Sequence, residues 1–228
     1  MNIRAGEYRW SYTIPHTPLD IRITYSSRST FTGLFGAGWC SGLDYEDTEV
    51  GLFHCGRRIR KPPDDLKTRL RLRAQYSSTN GPIHSLGGHK FVYKDKQLRK
   101  IQTASSQYFV FSYNEFQNLI SIKDASSKDI IVSYDNDNDR VEQVSSKNCL
   151  EKLEYKQSAR KRWIQYHKYC SGQLKSAKSY EVTLSRATDG SVFVQKVLFR
   201  TLKRQTIIEY SEAGEILNIN LTNKKEKS

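Results

Sequence analysis

Tyrosine recurs in this chain at a nearly fixed interval: Tyr93, Tyr113, Tyr134 and Tyr155 stand 20, 21 and 21 residues apart. A polar turn and then an apolar run follow. The turn is KDKQ before Leu98, NEFQN before Leu119 and DNDNDR before Val141. Near the C-terminal end YSEAGEILNI repeats the form from Tyr210, with Gly214 in the turn and Ile216 after it. Asn, Asp and Gly tolerate the positive φ that tight hairpin turns require. A period near 21 has room for two strands and two turns, so each unit reads as a β-hairpin. One hairpin cannot bury its apolar face alone, whereas hairpins stacked edge to edge make one long antiparallel sheet.

The rest of the chain shows the same short alternation rather than helical periodicity. LDIRITY sets Leu19, Ile21, Ile23 and Tyr25 against Asp20, Arg22 and Thr24. RLRLR sets Leu70 and Leu72 against Arg69, Arg71 and Arg73, which predicts a strand with three arginines on one face. SVFVQKVLF, TIIEY and ILNINL also read as strands. Gly, Pro, Asn and Asp mark TFTGLFGAG, KPPDD, SSTNGP and LGGHK as loops. GLFGAG lacks the Gly-Lys-Ser/Thr of a phosphate loop and reads as a turn that sets Trp39 into the core. Leu119, Ile122, Ile131 and Tyr134 are expected in the core or the repeat seam. Together these readings predict an all-β protein. Residues 1–220 form one domain, a curled antiparallel sheet of successive hairpins approaching a half-barrel, and 221–228 form a polar, frayed tail.

Two segments resemble the rearrangement-hotspot (RHS), or tyrosine-aspartate (YD) repeat, family. Its repeat runs Tyr-Asp, two variable residues, Gly, Arg or Asn, then Leu, with Ile or Val further on. YNEFQNLISI keeps Tyr113, Asn114, Leu119 and Ile122, with Gln117 at the glycine place. YDNDNDRVEQV keeps Tyr134 and Asp135, with Asn138 at that place and one residue extra. YSEAGEILNI keeps Gly214 but has Ser211 at the Asp place. LDIRITYSSRSTFTGLFGAGWCSGLDYE is similar to the segment that opens many such proteins, through Tyr25, Ser27, Arg28, Ser29, Gly36, Gly38 and Trp39. CGRRIRK resembles the hairpin that follows. The resemblance implies a spiralling β-sheet. Large relatives wrap into a shell around a C-terminal toxin, a plan that 228 residues are too few to close.

Cys40, Cys55, Cys149 and Cys170 are the four cysteines, with no CxxC spacing of a zinc ribbon. EDTE lies midway between Cys40 and Cys55, and SARK midway between Cys149 and Cys170. Symmetric hairpins about these midpoints set each pair directly across two strands, at about 4.5–5.5 Å between Cα atoms, which a disulfide accepts. Bridges 40–55 and 149–170 then place the protein in the periplasm, at the cell surface or in the medium. Four free thiols in a cytoplasmic protein are the alternative. MNIRAGEYRW carries no apolar run of a signal peptide, and no apolar run is long enough for a transmembrane helix.

The formal net charge of +13 implies an acidic partner. The cations cluster. Arg57, Arg58, Arg60 and Lys61 form RRIRK, and Arg69, Arg71 and Arg73 form RLRLR. Arg160, Lys161, Arg162 and Lys168 accompany Trp163, Tyr166 and Tyr169. Alternation sets Trp163 and Gln165 on one face and Ile164 and Tyr166 on the other. Arginine forks match phosphate, sulfate and carboxylate, and aromatic rings stack on sugars or bases. His16, His54, His84, His89 and His167 show no metal-ligand spacing, and His54 and Cys55, adjacent on a strand, are expected to point apart. No metal, cofactor or catalytic constellation is expected. The expectation is a non-enzymatic secreted or envelope protein with a structural or binding role. Its partner is an acidic glycan, lipopolysaccharide or an acidic protein, with nucleic acid as the second choice and an inactive remnant of a toxin-carrier shell as the third.

Overall fold

The computed structural model describes residues 7–14, 21–75, 80–84, 88–95, 97–125, 129–135, 137 and 140–223. The described residues are mostly β. Thirteen strands pair antiparallel in sequence order: β9 (Gly81–His84), β10 (Lys90–Lys94), β11 (Gln97–Gln102), β12 (Tyr108–Tyr113), β13 (Leu119–Asp124), β14 (Asp129–Tyr134), β15 (Val141–Ser146), β16 (Cys149–Gln157), β17 (Lys161–Cys170), β18 (Gln173–Arg186), β19 (Val192–Thr201), β20 (Arg204–Tyr210) and β21 (Ile216–Asn223). Sequential order without crossover is what stacked hairpins produce. No helix among the described residues is long and apolar enough to cross a membrane. The chain packs as two compact units, Arg9–Val141 and Met1–Tyr8 with Glu142–Ser228.

In the unit Arg9–Val141, β1 (Arg9–Thr13), β2 (Arg22–Ser26) and β5 (Trp39–Ser41) form a three-stranded sheet, and β3 (Thr32–Gly33) pairs with β4 (Gly36–Ala37). β6 (Tyr45–Thr48), β7 (Gly51–His54) and β8 (Arg57–Arg58) form another. The glycine loop drives Trp39 inward as the sequence predicts. Trp39 is fully buried, its ring centroid 5.2 Å from that of Tyr25 and 5.9 Å from that of Trp10. Gly38 has φ +77°, and a Cβ there would stand 2.8 Å from the Tyr25 ring. Phe35 reaches Phe111 at 5.2 Å between centroids, and the Leu119 N–H donates to the Phe35 carbonyl at 3.2 Å.

The recurrent tyrosines have a common physical role. Tyr93, Tyr113 and Tyr210 each pair across their hairpin with the apolar residue after the turn, Leu98, Leu119 and Ile216, and each sits at a register shift. The Tyr113 hydroxyl donates to the Leu98 carbonyl at 2.8 Å, and the Tyr134 hydroxyl to the Leu119 carbonyl at 2.9 Å. Each hydroxyl thus reaches back to the leucine of the preceding hairpin. Tyr93, first in the series, donates instead to the Leu72 carbonyl at 3.2 Å. Burial pushes the phenols of Tyr93, Tyr113 and Tyr134 well above the usual tyrosine range. The turns use the positive φ that hairpin turns require. Gln117, at the glycine place, has φ +64°, and Gly214 has φ +82°.

Four expectations are corrected. RLRLR is a helix, α1 (Leu66–Gln75). The Arg69 N–H donates to the Asp65 carbonyl at 3.1 Å, so Asp65 caps the helix behind Pro62 and Pro63. Leu and Arg are strong helix formers, and Arg69, Leu72 and Arg73 share the inward face, a 3.6-residue pattern that five alternating residues also satisfy. Ile131 is 49% exposed, whereas Val132 is buried. DIIVSY has three consecutive apolar residues, so alternation alone does not choose the face. Tyr155 lies inside a ladder opposite Ile164, with Lys156 and Gln157 paired beyond it, because the β16–β17 hairpin runs two residues further before turning. Leu221, Thr222 and Asn223 belong to β21 rather than to a tail. Residues 224–228 lie outside the described residues, as do His16, Leu19, Asp20, Asn138, residues 77–79 of SSTNGP and residues 86–87 of LGGHK.

In the second unit, Leu153, Ile164 and Tyr166 are buried, with Trp163 and Gln165 on the other face of β17 as alternation requires. Fully buried Tyr8 covers Tyr166 at 6.1 Å between centroids and donates to Glu151 Oε2 at 3.2 Å.

Candidate anion-binding surfaces

Both expected disulfides form, between Cys40 and Cys55 and between Cys149 and Cys170, and the described residues hold no free cysteine. Cys149 and Cys170 stand directly opposite across β16 and β17, as the hairpin argument requires. The geometry of the first bridge differs. The turn between β6 and β7 is Glu49–Val50, and Cys40 lies outside that hairpin, on β5 opposite Thr24. The bond therefore ties β5 to the turn after β7. Cys55 occupies that turn with φ +52°, so strand alternation does not apply to it. That explains why His54 and Cys55 do not point apart. Their ligand atoms and that of Cys40 lie within 4.8 Å of one another, and His54 Nε2 is 2.9 Å from the Ser41 carbonyl. With the sulfurs bonded to each other, no thiolate is available to a metal.

The basic residues divide into structural and free groups. In the unit Arg9–Val141, Arg69 and Arg73 are turned inward, their side chains 12% and 11% exposed. Arg69 Nε is 2.6 Å from Asp65 Oδ1, and its guanidinium also donates to the Gly42 carbonyl. Arg73 Nε is 3.5 Å from Asp44 Oδ1. Asp44 is fully buried and accepts from the Leu34 N–H at 3.0 Å and from the Ser41 N–H and Oγ–H at 2.7 Å. Burial pushes the Asp44 carboxyl up, against the pull of Arg73 and the Ser41 donors. These two arginines hold α1 against the β5–β6 corner and are unavailable to a ligand, which corrects their sequence assignment. Arg57, Arg58, Arg60, Lys61 and Arg71 are exposed and make no ion pair among the described residues.

In the second unit, Lys161 pairs with Glu181 at 2.8 Å and Lys168 with Glu151 at 3.1 Å, so neither offers a free charge. Trp163 is half-buried opposite Lys156 and Glu181. Arg160 and Arg162 remain exposed. Arg160 belongs to a concave site of about 670 Å³ between the β16–β17 turn and the β18–β19 end. Arg186 is the second guanidinium there. Thr183, Ser185 and Gln195 supply hydroxyl and amide groups, and Leu184 and Val192 supply apolar wall. The Leu184 N–H donates to the Arg160 carbonyl at 2.8 Å, and the register shift at Thr183–Leu184 leaves Gln195 of β19 as the extra, unpaired residue beside the hollow. Arg186 and the hollow are absent from the sequence reading. Arg160 and Arg186 are 26 residues apart, and only the pairing of β17 with β18 brings their elements together.

No protein-family model matches the chain, and no curated protein sequence matches it. The two disulfides point to an oxidising environment. Chemically, the hollow in the second unit offers two permanently charged forks beside neutral hydrogen-bonding groups, in a volume typical of small-ligand sites.

Proposed function

We propose that this chain is a non-enzymatic, secreted or envelope β-repeat protein that binds an anionic surface polymer, with acidic glycan as the preferred ligand class. The hollow with Arg160 and Arg186 carries the reading. Two guanidinium groups suit successive carboxylate or sulfate groups, Thr183, Ser185 and Gln195 suit sugar hydroxyls, and Leu184 and Val192 suit a ring's apolar face. The exposed Arg57, Arg58, Arg60, Lys61 and Arg71 give a second basic surface for a long polyanion, and the net charge of +13 raises its encounter rate. The disulfides support an exported location. The pinned tyrosines support a short YD-repeat scaffold as the frame.

Isothermal titration of the intact protein with uronate oligosaccharides, sulfated oligosaccharides, lipopolysaccharide and duplex DNA at matched ionic strength tests this. Glycan binding that is weakened at least tenfold by Arg160→Ala with Arg186→Ala is expected. Tighter binding of DNA, or glycan binding unchanged in the double variant, would overturn it.

A further inference from the structure

The thirteen-stranded sheet ends in two unlike edges. β9 has four residues and contains Pro82, which has no N–H to offer a new strand. β21 has eight residues, all exposed, with no proline and no charge in a chain of net charge +13. Leu217, Ile219 and Leu221 are 67%, 54% and 74% exposed. Natural sheet edges are guarded by short strands, lysine, proline or bulges, because an open edge templates pairing. β9 has two of those guards. β21 has only the register shift at its first residues, and among the described residues no strand pairs with its outer side.

The sequence of β21 identifies the occupant. Leu217, Asn218, Ile219, Asn220 and Leu221 read the same in both directions. A two-fold axis perpendicular to a strand pairs it antiparallel with its own copy, so that residue i faces j and j faces i. Centred on Ile219, this pairing sets Ile219 opposite the partner's Ile219, Leu217 opposite the partner's Leu221, and Asn218 opposite the partner's Asn220. One face then carries an unbroken apolar stripe from both copies, and the other carries facing amides able to hydrogen-bond. The stripe continues inward through Ile208 of β20 and Val197 of β19, which pair in register with Ile219 and with each other. Because the strand is uncharged, two copies of a strongly basic protein meet there without direct repulsion. We propose that β21 is a homodimerisation edge, at which a second copy of this chain adds its own β21 antiparallel and the two sheets become one.

Sedimentation velocity of the intact protein over a range of concentrations, with two variants, tests the proposal. The wild type is expected to show a reversible monomer–dimer equilibrium. Ile219→Lys sets two ammonium groups directly opposite and is expected to weaken association at least tenfold, with an unchanged circular dichroism spectrum. Ile219→Cys adds the one free thiol among the described residues. Facing strands bring it within about 4.5–5.5 Å, Cα to Cα, of its counterpart, so mild oxidation yields a covalent dimer. Val192→Cys, at a position 62% exposed on β19, is expected to give none. A wild type that stays monomeric throughout, a dimer that survives Ile219→Lys, or equal cross-linking at both positions would overturn the assignment.

Discussion

Replacing Tyr134 by phenylalanine removes one oxygen that serves two buried groups. The hydroxyl donates to the Leu119 carbonyl at 2.9 Å and accepts from Trp39 Nε1–H at 2.8 Å. Trp39 is fully buried, so its indole N–H has no route to water once the oxygen is gone. Stranding a buried donor costs about 1–3 kcal/mol, and losing the second bond about 1 kcal/mol, so the expected loss is about 2–4 kcal/mol. Tyr113→Phe is the internal control. Its hydroxyl has the matching bond to Leu98, and its expected cost is about 1 kcal/mol. Ring volume and apolar burial stay the same in both, so the difference isolates the Trp39 bond. Urea unfolding followed by tryptophan fluorescence in a Trp163→Phe background reads the unit Arg9–Val141 through Trp10 and Trp39. Equal losses for the two variants would refute the claim that Tyr134 clamps Trp39 to the repeat seam.

Gln117→Gly is expected to stabilise the protein by about 0.5–1 kcal/mol, since relief of a left-handed side-chain residue exceeds glycine's extra entropy; a lower urea midpoint would contradict this. Buried Tyr93, Tyr113 and Tyr134 keep their protons above pH 10 while the unfolded chain loses them. The folded state then binds more protons, so stability falls as pH rises past 10, by about 1.4 kcal/mol per pH unit for each tyrosine. Phenolate absorbance near 295 nm should appear for these three only with unfolding, and early, non-cooperative ionisation would count against their burial. Asp44→Asn offers an amide where the carboxylate accepts three bonds beside Arg73, with an expected cost of about 3–5 kcal/mol by thermal melting; a melt within a degree of wild type would show that the Asp44 network is dispensable. Cys40→Ser with Cys55→Ser is expected to cost about 3 kcal/mol from the 15-residue separation, and unchanged unfolding would mean the ends are held without the bond.

The tyrosine clasp gives the repeat a mechanical meaning. A hairpin's backbone bonds tie only adjacent strands, whereas a hydroxyl reaching the leucine carbonyl of the previous hairpin couples neighbouring units by side chain as well. Nearest-neighbour coupling of this kind lets stability accumulate along a stack of units that are each too small to fold alone.

Local sequence decides local structure wherever one short-range pattern dictates one conformation. Turn composition after Tyr93, Tyr113, Tyr134 and Tyr210 located the hairpins, since only a few residue types tolerate those dihedrals and register follows from the turn. The pairing of Cys149 with Cys170 followed from the same symmetry, and the turn before Trp39 from its glycines. The pattern failed where two periodicities shared five residues, as in RLRLR, and where an apolar run filled both faces, as at Ile131 and Val132. Which arginines are free was not legible, because Arg69 meets Asp65 only once the segment is read as a helix, and Arg73 meets Asp44 and Glu46 only once the chain has folded. Arg160 and Arg186 became neighbours of one hollow through strand pairing alone. Composition, turn chemistry and period therefore decide what a segment becomes by itself, through dihedral preference and alternation. Charge availability and concavity depend on distances between remote segments, and those exist only once the sheet has formed.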